Sequence, residues 1–309
     1  MTLLIQLGLF VIGFAMLVKG ADWFVDGASG IASKFGIPQL VIGLTIVAMG
    51  TSAPEAAVSI TAAMKGNADI TIGNIVGSNI LNILIILGIS SVITTIAVAK
   101  STIKYEIPIM IAITFLLLFV GMDGTVTFME GIILLVAFAA YLAYVFRMAK
   151  DNKEEEPEET KELTVVKALA LTVIGLVLIV WGSDITVEAA KELARIFGLS
   201  ERFIGLTIVA LGTSLPELFT SVLAARKGNA DIAIGNIVGS NIFNILFVVG
   251  VSALITPIPF QAAFRIDTLV AVAAAVILLL CSLKDKCLKR WHGVIMLSSY
   301  AIYFIYLCR

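Results

Sequence analysis

The sequence is short of everything a water-facing surface needs. Only 14% of its 309 residues are charged, against about 25% in an ordinary soluble domain. The formal net charge of −1 lacks the basic excess of a nucleic-acid binder. Histidine occurs once, at His292, and cysteine three times, at Cys281, Cys287 and Cys308. None of these forms a CxxC, so there is neither zinc-site spacing nor a disulfide framework. HExxH, GxSxG and a nucleophile–histidine pair are all missing, which argues against an intramembrane enzyme. No side-chain charge precedes Lys19, and no small-residue cleavage site follows the first apolar run. Met1–Val18 is therefore expected to remain as a first span and not to be removed as a signal peptide.

What is present is apolar. Hydrophobic residues make up 60% of the chain and the mean hydropathy is +1.06. A transmembrane helix needs about 20 such residues. Charge-free runs fall at 1–18, 35–54, 70–99, 107–122, 131–146, 168–183, 203–216, 232–264, 268–283 and 293–308. The expectation is an all-α membrane protein of ten transmembrane helices. The acidic stretch Arg147–Lys167, with KDNKEEEPEETKE at its centre, separates five runs from five. It divides the chain into a five-helix unit at 1–147, a linker at 148–167 and a second five-helix unit at 168–309. With the N-terminus outside, 15 of the 21 Lys and Arg fall on the inner side. The positive-inside rule then places both termini outside and the linker in the cytoplasm. Composition points to the cell (inner) membrane of a prokaryote.

The two units repeat each other. Residues 43–83 and 205–245 are identical at 31 of 41 positions, at a constant offset of 162. Gly13 and Gly175, Gly20 and Gly182, and Asp22 and Asp184 extend the match upstream. A five-span unit has its ends on opposite sides of the membrane, so tandem copies must insert upside down relative to each other. Inverted repeats of this kind belong to secondary transporters, which bind substrate at the midplane on interrupted helices. Duplication for packing alone does not explain why the best-matched segments are rich in Thr, Ser, Asn, Pro and Glu.

Two elements carry the chemistry. GTSAPE at 50–55 and GTSLPE at 212–217 sit inside apolar segments. Pro54 and Pro216 have no N–H, so the carbonyls of Gly50 and Gly212 lose their helical donors. An unwound stretch there would expose several carbonyl oxygens. On a helix, Thr51 and Ser52 share a face with Glu55, as Thr213 and Ser214 do with Glu217, so each repeat is expected to offer one carboxylate, two hydroxyls and freed carbonyls in a tight group. An intramembrane carboxylate costs about 2.5–3.5 kcal/mol or more, and no Lys or Arg lies in these segments. The second element is GNIVGSNILN at 73–82 and GNIVGSNIFN at 235–244. Asn74, Ser78 and Asn82 form a polar ridge, as do Asn236, Ser240 and Asn244. GxxxG pairs (Gly73/Gly77 and Gly235/Gly239) favour close helix packing. Ser78, Asn82, Ser240 and Asn244 suit ligation, whereas Asn74, Asn79, Asn236 and Asn241 fit ligation or interhelical glue equally well.

Two carboxylates balance one divalent or two monovalent cations. Hard oxygens without Cys or His argue against zinc, copper and iron. Calcium accepts six to eight flexible oxygen ligands, whereas magnesium demands a strict octahedron. The residues alone thus point to calcium exchanged against sodium or protons. A passive channel fits less well, since channels favour rings of like subunits. Other charges read as local structure. Asp69 and Asp231 are expected as helix N-caps, Asp22 and Asp184 at the ends of spans 1 and 6, and Asp123 and Asp267 near the membrane surfaces. His292 sits beside Trp291 at a span boundary.

These motifs resemble the cation/calcium exchanger superfamily, specifically its sodium/calcium antiporters. The resemblance covers both α-repeats and the ten-span plan. It implies that Glu55 and Glu217 are the central calcium ligands. It further implies contacts from Thr51, Ser52, Thr213, Ser214, Ser78, Asn82, Ser240 and Asn244, and from the backbone oxygens of Ala48 and Ala210. It implies alternating access, with spans 1 and 6 sliding against the other eight, and mutually exclusive binding of sodium and calcium. Some relatives carry Asp where this chain has Asn82 or Asn244, so here the pocket has two acids. The superfamily's proton-coupled branch carries GNxxE instead of GTSxPE, which favours sodium, with a proton/calcium antiporter as the alternative. No cofactor, nucleic acid or obligate protein partner is implied, only the two ions and the lipid bilayer.

Overall fold

A computed structural model describes residues 2–151, 163–198 and 210–307. Linker residues 152–162, residues 203–209 of the seventh apolar run, and Cys308 lie outside the described residues.

The described residues are helical apart from turns and two ladders of two-residue strands. The first unit contains α1 (Thr2–Phe35), α2 (Gln39–Thr51), α3 (Ala53–Met64), α4 (Ile70–Ile93), β1 (Ile96–Ala97), α5 (Thr102–Val120), β2 (Thr125–Val126) and α6 (Phe128–Asp151). The second contains α7 (Val165–Ile196), α8 (Ala210–Gly212), α9 (Leu215–Arg226), α10 (Ala230–Ile255), β3 (Ile258–Pro259), α11 (Ala262–Leu283), β4 (Cys287–Leu288) and α12 (Arg290–Leu307). Among the described residues, seven helices are long and apolar enough to cross a membrane, or eight if the bent pair α2–α3 counts as one. Large apolar side chains stand exposed along α1 (Leu4, Val11, Ile12) and α7 (Val166, Val173, Trp181), as a lipid-facing surface requires.

The first span is longer than its charge-free run. α1 continues past Val18 for 34 residues in all, about 50 Å, and α7 has 32. Asp22 and Asp184 therefore lie within long helices, not at their ends. Ion pairing lets the helices continue through their charges. Lys19 meets Asp22 at 2.9 Å, and Lys191 meets Glu188 at 3.1 Å. The two long helices cross antiparallel. Gly13 lies against Gly182 and Thr186, Gly20 against Gly175, and Gly27 against Thr172. A Cβ on Gly20 would come within 2.9 Å of the Gly175 carbonyl oxygen, so the contact demands residues without side chains.

At the centre, α4 and α10 are mostly enclosed. α10 packs on α2 at Gly43 and Gly235, and a Cβ on Gly239 would strike the Leu44 carbonyl. Around them α12 flanks α4, α6 flanks α10, and α5 faces α11. The strands pair between units. Ile96 is opposite Leu288 and Ala97 opposite Cys287, while Val126 is opposite Ile258 and Thr125 opposite Pro259. Moving the first-unit member of each pair in one ladder up by 162 and its second-unit partner down by 162 generates the other ladder.

Each unit contains the same turn after its Glu-bearing helix. Gly66 and Gly228 adopt φ of +77° and +85°, which Gly allows without steric cost. The turn places Lys65 and Lys227 at matched positions, but their partners differ. Lys227 holds Asp22 at 2.7 Å and Asp26 at 2.6 Å, and Asn229 donates to Ser29 at 2.9 Å. The matched acids of α7 are Asp184 and Glu188, and Glu188 pairs with Lys191 on its own helix. α1 packs broadly on α9.

Candidate polar site between the two units

The proline motif bends its helix without unwinding it widely. Ser52 leaves helical geometry at φ −83° and ψ 7°, and α2 and α3 meet at 49°. Ser214 does the same at φ −89° and ψ 5°. The expected run of exposed carbonyls is thus reduced. The Ala48 carbonyl accepts from Ser52 N at 3.0 Å, Thr51 Oγ1 at 3.3 Å and Ser240 Oγ at 3.3 Å. The Gly212 carbonyl accepts from Ser183 Oγ at 2.9 Å. That hydroxyl, on α7, captures the oxygen that proline had left without a donor.

The bend also redirects the hydroxyls. Instead of facing the acid on its own segment, Ser52 Oγ donates to Glu217 Oε1 at 2.7 Å. Ser214 Oγ donates to Glu55 Oε1 at 3.3 Å. Thr213 also approaches Glu55, and Thr51 and Ser240 approach Glu217. The polar group expected within each repeat is therefore assembled across the two. Glu55 and Glu217 are 1% and 0% exposed.

α4 and α10 supply the amides. Asn74 Nδ2 donates to Ser59 Oγ at 3.0 Å and to the Glu55 carbonyl at 3.4 Å. Asn236 Nδ2 donates to Ser221 Oγ at 2.9 Å and to the Glu217 carbonyl at 3.5 Å. Asn236 Oδ1 accepts from Thr51 at 2.9 Å. These two asparagines tie each amide helix to the acid-bearing helix of its own unit. Asn82 and Asn244 each open a π-helical turn, Asn82–Leu87 and Asn244–Val249, a distortion common at functional sites. Neither turn has a sequence signature. Ser78 and Ser240 are buried one turn earlier, and Ala210 opens α8 at the position matching Ala48.

Four buried oxygens here accept no hydrogen bond from the described residues: Glu55 Oε2, Glu217 Oε2, Asn82 Oδ1 and Asn244 Oδ1. They are two matched pairs under the offset of 162. Buried polar atoms are normally partnered. Oxygen acceptors without donors, two of them carboxylate, are suited to a hard cation.

Other sequence expectations resolve locally. Asp231 is the second residue of its helix, behind the N-cap Asn229, and Asp69 follows the N-cap Ala68. Neither is the cap itself. Asp231 sits in the first turn, where a negative charge complements the helix dipole. His292 Nδ1 accepts from Lys289 N at 3.0 Å. Asp267 is bound by Tyr303 OH at 3.0 Å. A third buried carboxylate, Glu106, falls just before the charge-free run at 107–122, and no motif marks it. It is 0% exposed and accepts from Tyr144 OH on α6. Its position beside the charged Lys104 hides it in the sequence.

A family model described as "Sodium/calcium exchanger protein" matches residues 5–147 and 167–309. CaxA of Alkalimonas amylolytica is 42% identical over 95% of each chain. Sodium/calcium exchanger MaX1 of Methanosarcina acetivorans is 33% identical over 97% of each chain. A solved structure of the sodium-calcium exchanger NCX_Mj, soaked with zero Na+ and Ca2+, superposes with a TM-score of 0.87 at 33% identity over 99% of each chain.

Proposed function

This chain belongs to the sodium/calcium exchanger protein family, and we propose that its own reaction is the exchange of sodium ions for calcium by alternating access. It is a cation/calcium antiporter of the membrane and not an enzyme. The observation that carries the finer reading is the matched set of four unpartnered oxygens on Glu55, Glu217, Asn82 and Asn244. In this reading the two carboxylates are the central ligands. Thr51, Ser52, Thr213, Ser214, Ser78 and Ser240 and the carbonyls of Ala48 and Ala210 complete the ion's surroundings. Two negative charges take up one calcium ion or two sodium ions, so the two cargoes compete for the same oxygens.

The reading includes ten spans in two inverted units, 1–147 and 168–309, joined by a cytoplasmic linker at 148–167. The antiparallel crossing of α1 and α7 and the exchanged strand registers support that inversion. α1 and α7, crossing on glycines and lying outside the bundle, are the elements proposed to slide. The membrane is the cell membrane of a prokaryote, with both termini outside.

Calcium-45 uptake into sodium-loaded proteoliposomes tests the reading. Uptake driven by an outward sodium gradient and lost in Glu55→Gln supports it. Uptake driven only by an imposed pH gradient would assign the protein to proton coupling, and leak independent of any gradient would make it a channel.

A further inference from the structure

We propose that Asn79 and Asn241 are positioning residues that decide which end of the Asn82 and Asn244 amides is offered to the ion. The inference rests on the reading of Asn82 and Asn244 as ligands.

An asparagine amide has an acceptor end and a donor end of nearly the same shape. Only the oxygen can ligate a cation. A ligand asparagine therefore needs something to fix its orientation, and outer partners commonly supply this at metal sites. Four asparagines meet where α4 and α10 cross, all at most 2% exposed. Asn79 Nδ2 donates to the Asn241 backbone carbonyl at 3.1 Å, and Asn241 Nδ2 donates to the Asn79 carbonyl at 3.1 Å. Each of this inner pair is thereby anchored to the opposite unit with its own oxygen turned to a known place. Those oxygens are then occupied. Asn241 Oδ1 accepts from Asn82 Nδ2 at 3.0 Å, and Asn79 Oδ1 accepts from Asn244 Nδ2 at 3.1 Å. Both donor ends of the outer pair are thus held inside the amide ring, and neither Oδ1 atom accepts a hydrogen bond from the described residues.

The ring explains why Asn79 and Asn241 carry amides. Each must donate to a backbone carbonyl and accept from a side-chain amide at once. A carboxylate has no donor and an aliphatic residue has neither function. The ring also crosses between units, so each unit orients the ligand amide of the other. This separates the inner asparagines from Asn74 and Asn236, whose donors bind within their own unit. Asn79 and Asn241 act on the ion only through the amides they hold.

The test is a double-mutant cycle of Asn79 with Asn244, with Asn241 and Asn82 as the mirror cycle should Asn79→Ala not fold. The Asn244→Asp variant has an oxygen at both ends of the side chain and needs no orienting partner. Wild type, Asn79→Ala, Asn244→Asp and the double variant are purified and checked for monodispersity. Calcium affinity is read from the calcium concentration that raises the thermal midpoint, and separately from KM in sodium-driven calcium-45 uptake. With Asn244 in place, Asn79→Ala is expected to weaken calcium about tenfold or more, with less effect on the maximal rate. In the Asn244→Asp background the same change is expected to weaken calcium not at all. An equal loss in both backgrounds overturns the proposal, since that is the signature of a purely structural residue. No loss in either background overturns it too. A wild type that is stabilised by calcium but does not exchange it for sodium removes the transport reading while leaving the binding cycle decisive. A wild type that neither binds nor exchanges calcium removes both.

Discussion

Ser52 of the first unit donates its hydroxyl proton to Glu217 of the second, 2.7 Å away, and Ser214 does the same for Glu55 at 3.3 Å. Each carboxylate is therefore held by the opposite repeat. A hydrogen bond to a charged group contributes about 1.5–3 kcal/mol. Ser52→Ala and Ser214→Ala are each expected to raise the calcium KM about tenfold or more. In double-mutant cycles, Ser52 should couple to Glu217 and not to Glu55. Coupling of Ser52 to Glu55 instead would mean that the acids are served within their own segments.

Glu55→Gln and Glu217→Gln are each expected to abolish calcium exchange while leaving the protein monodisperse. A neutral amide replaces half of the site's charge and introduces a donor end. Asn82→Ala is expected to weaken calcium without abolishing exchange, because it removes one neutral oxygen and no charge. Normal exchange in either Gln variant refutes the central assignment. An Asn82→Ala defect as complete as that of Glu55→Gln reverses the ranking of ligands.

Tyr144 donates to Glu106, whose other oxygen has no partner among the described residues. Tyr144→Phe leaves a buried carboxyl with neither oxygen bonded, a change of about 1–3 kcal/mol. A lower thermal midpoint is expected, with calcium KM unchanged, because the hydrogen bond of Glu106 goes to Tyr144 and not to the asparagines or the two central acids. A large change in KM with an unaltered midpoint would connect Glu106 to the transport site.

Ser29 and Asn229 join α1 to the turn after α9, and their matched positions in the other unit are Lys191 and Asn67. In a background without the native cysteines, Ser29→Cys with Asn229→Cys is expected to cross-link under oxidant and arrest exchange, reversibly with dithiothreitol. If α1 and α7 slide, Lys191→Cys with Asn67→Cys should also cross-link, trapping the opposite arrangement. Unimpaired exchange with the first bridge formed would show that α1 stays where it is throughout the cycle.

The sequence made the duplication, the two acids and the polar ridge legible because these are matters of residue type and spacing. It was silent on direction. The spacing of Thr51, Ser52 and Glu55 assumed a continuous helix, and the bend at Ser52 sent the hydroxyls to the other unit. The roles of Asn79 and Asn241 were undecidable because they depend on which helix crosses which. Charge-free runs located α4 and α10 but underestimated α1, whose charges are balanced by Lys19 and Lys227. The π turns at Asn82 and Asn244 have no signature that distinguishes them from an α-helix in a string of Ile, Leu and Val.

Ser183 binds the freed Gly212 carbonyl, and its matched residue in the first unit is Ala21, which has no hydroxyl to offer. Suppose the two units trade arrangements as the transporter turns over. Every residue that is identical in both then contributes the same free energy before and after, and its contribution cancels. Only unmatched residues can tilt the balance between the two facings, apart from the asymmetry of the membrane itself. The resting orientation of this protein is thus written in its differences, Ser183 against Ala21 among them, while the chemistry it performs is written in its identities.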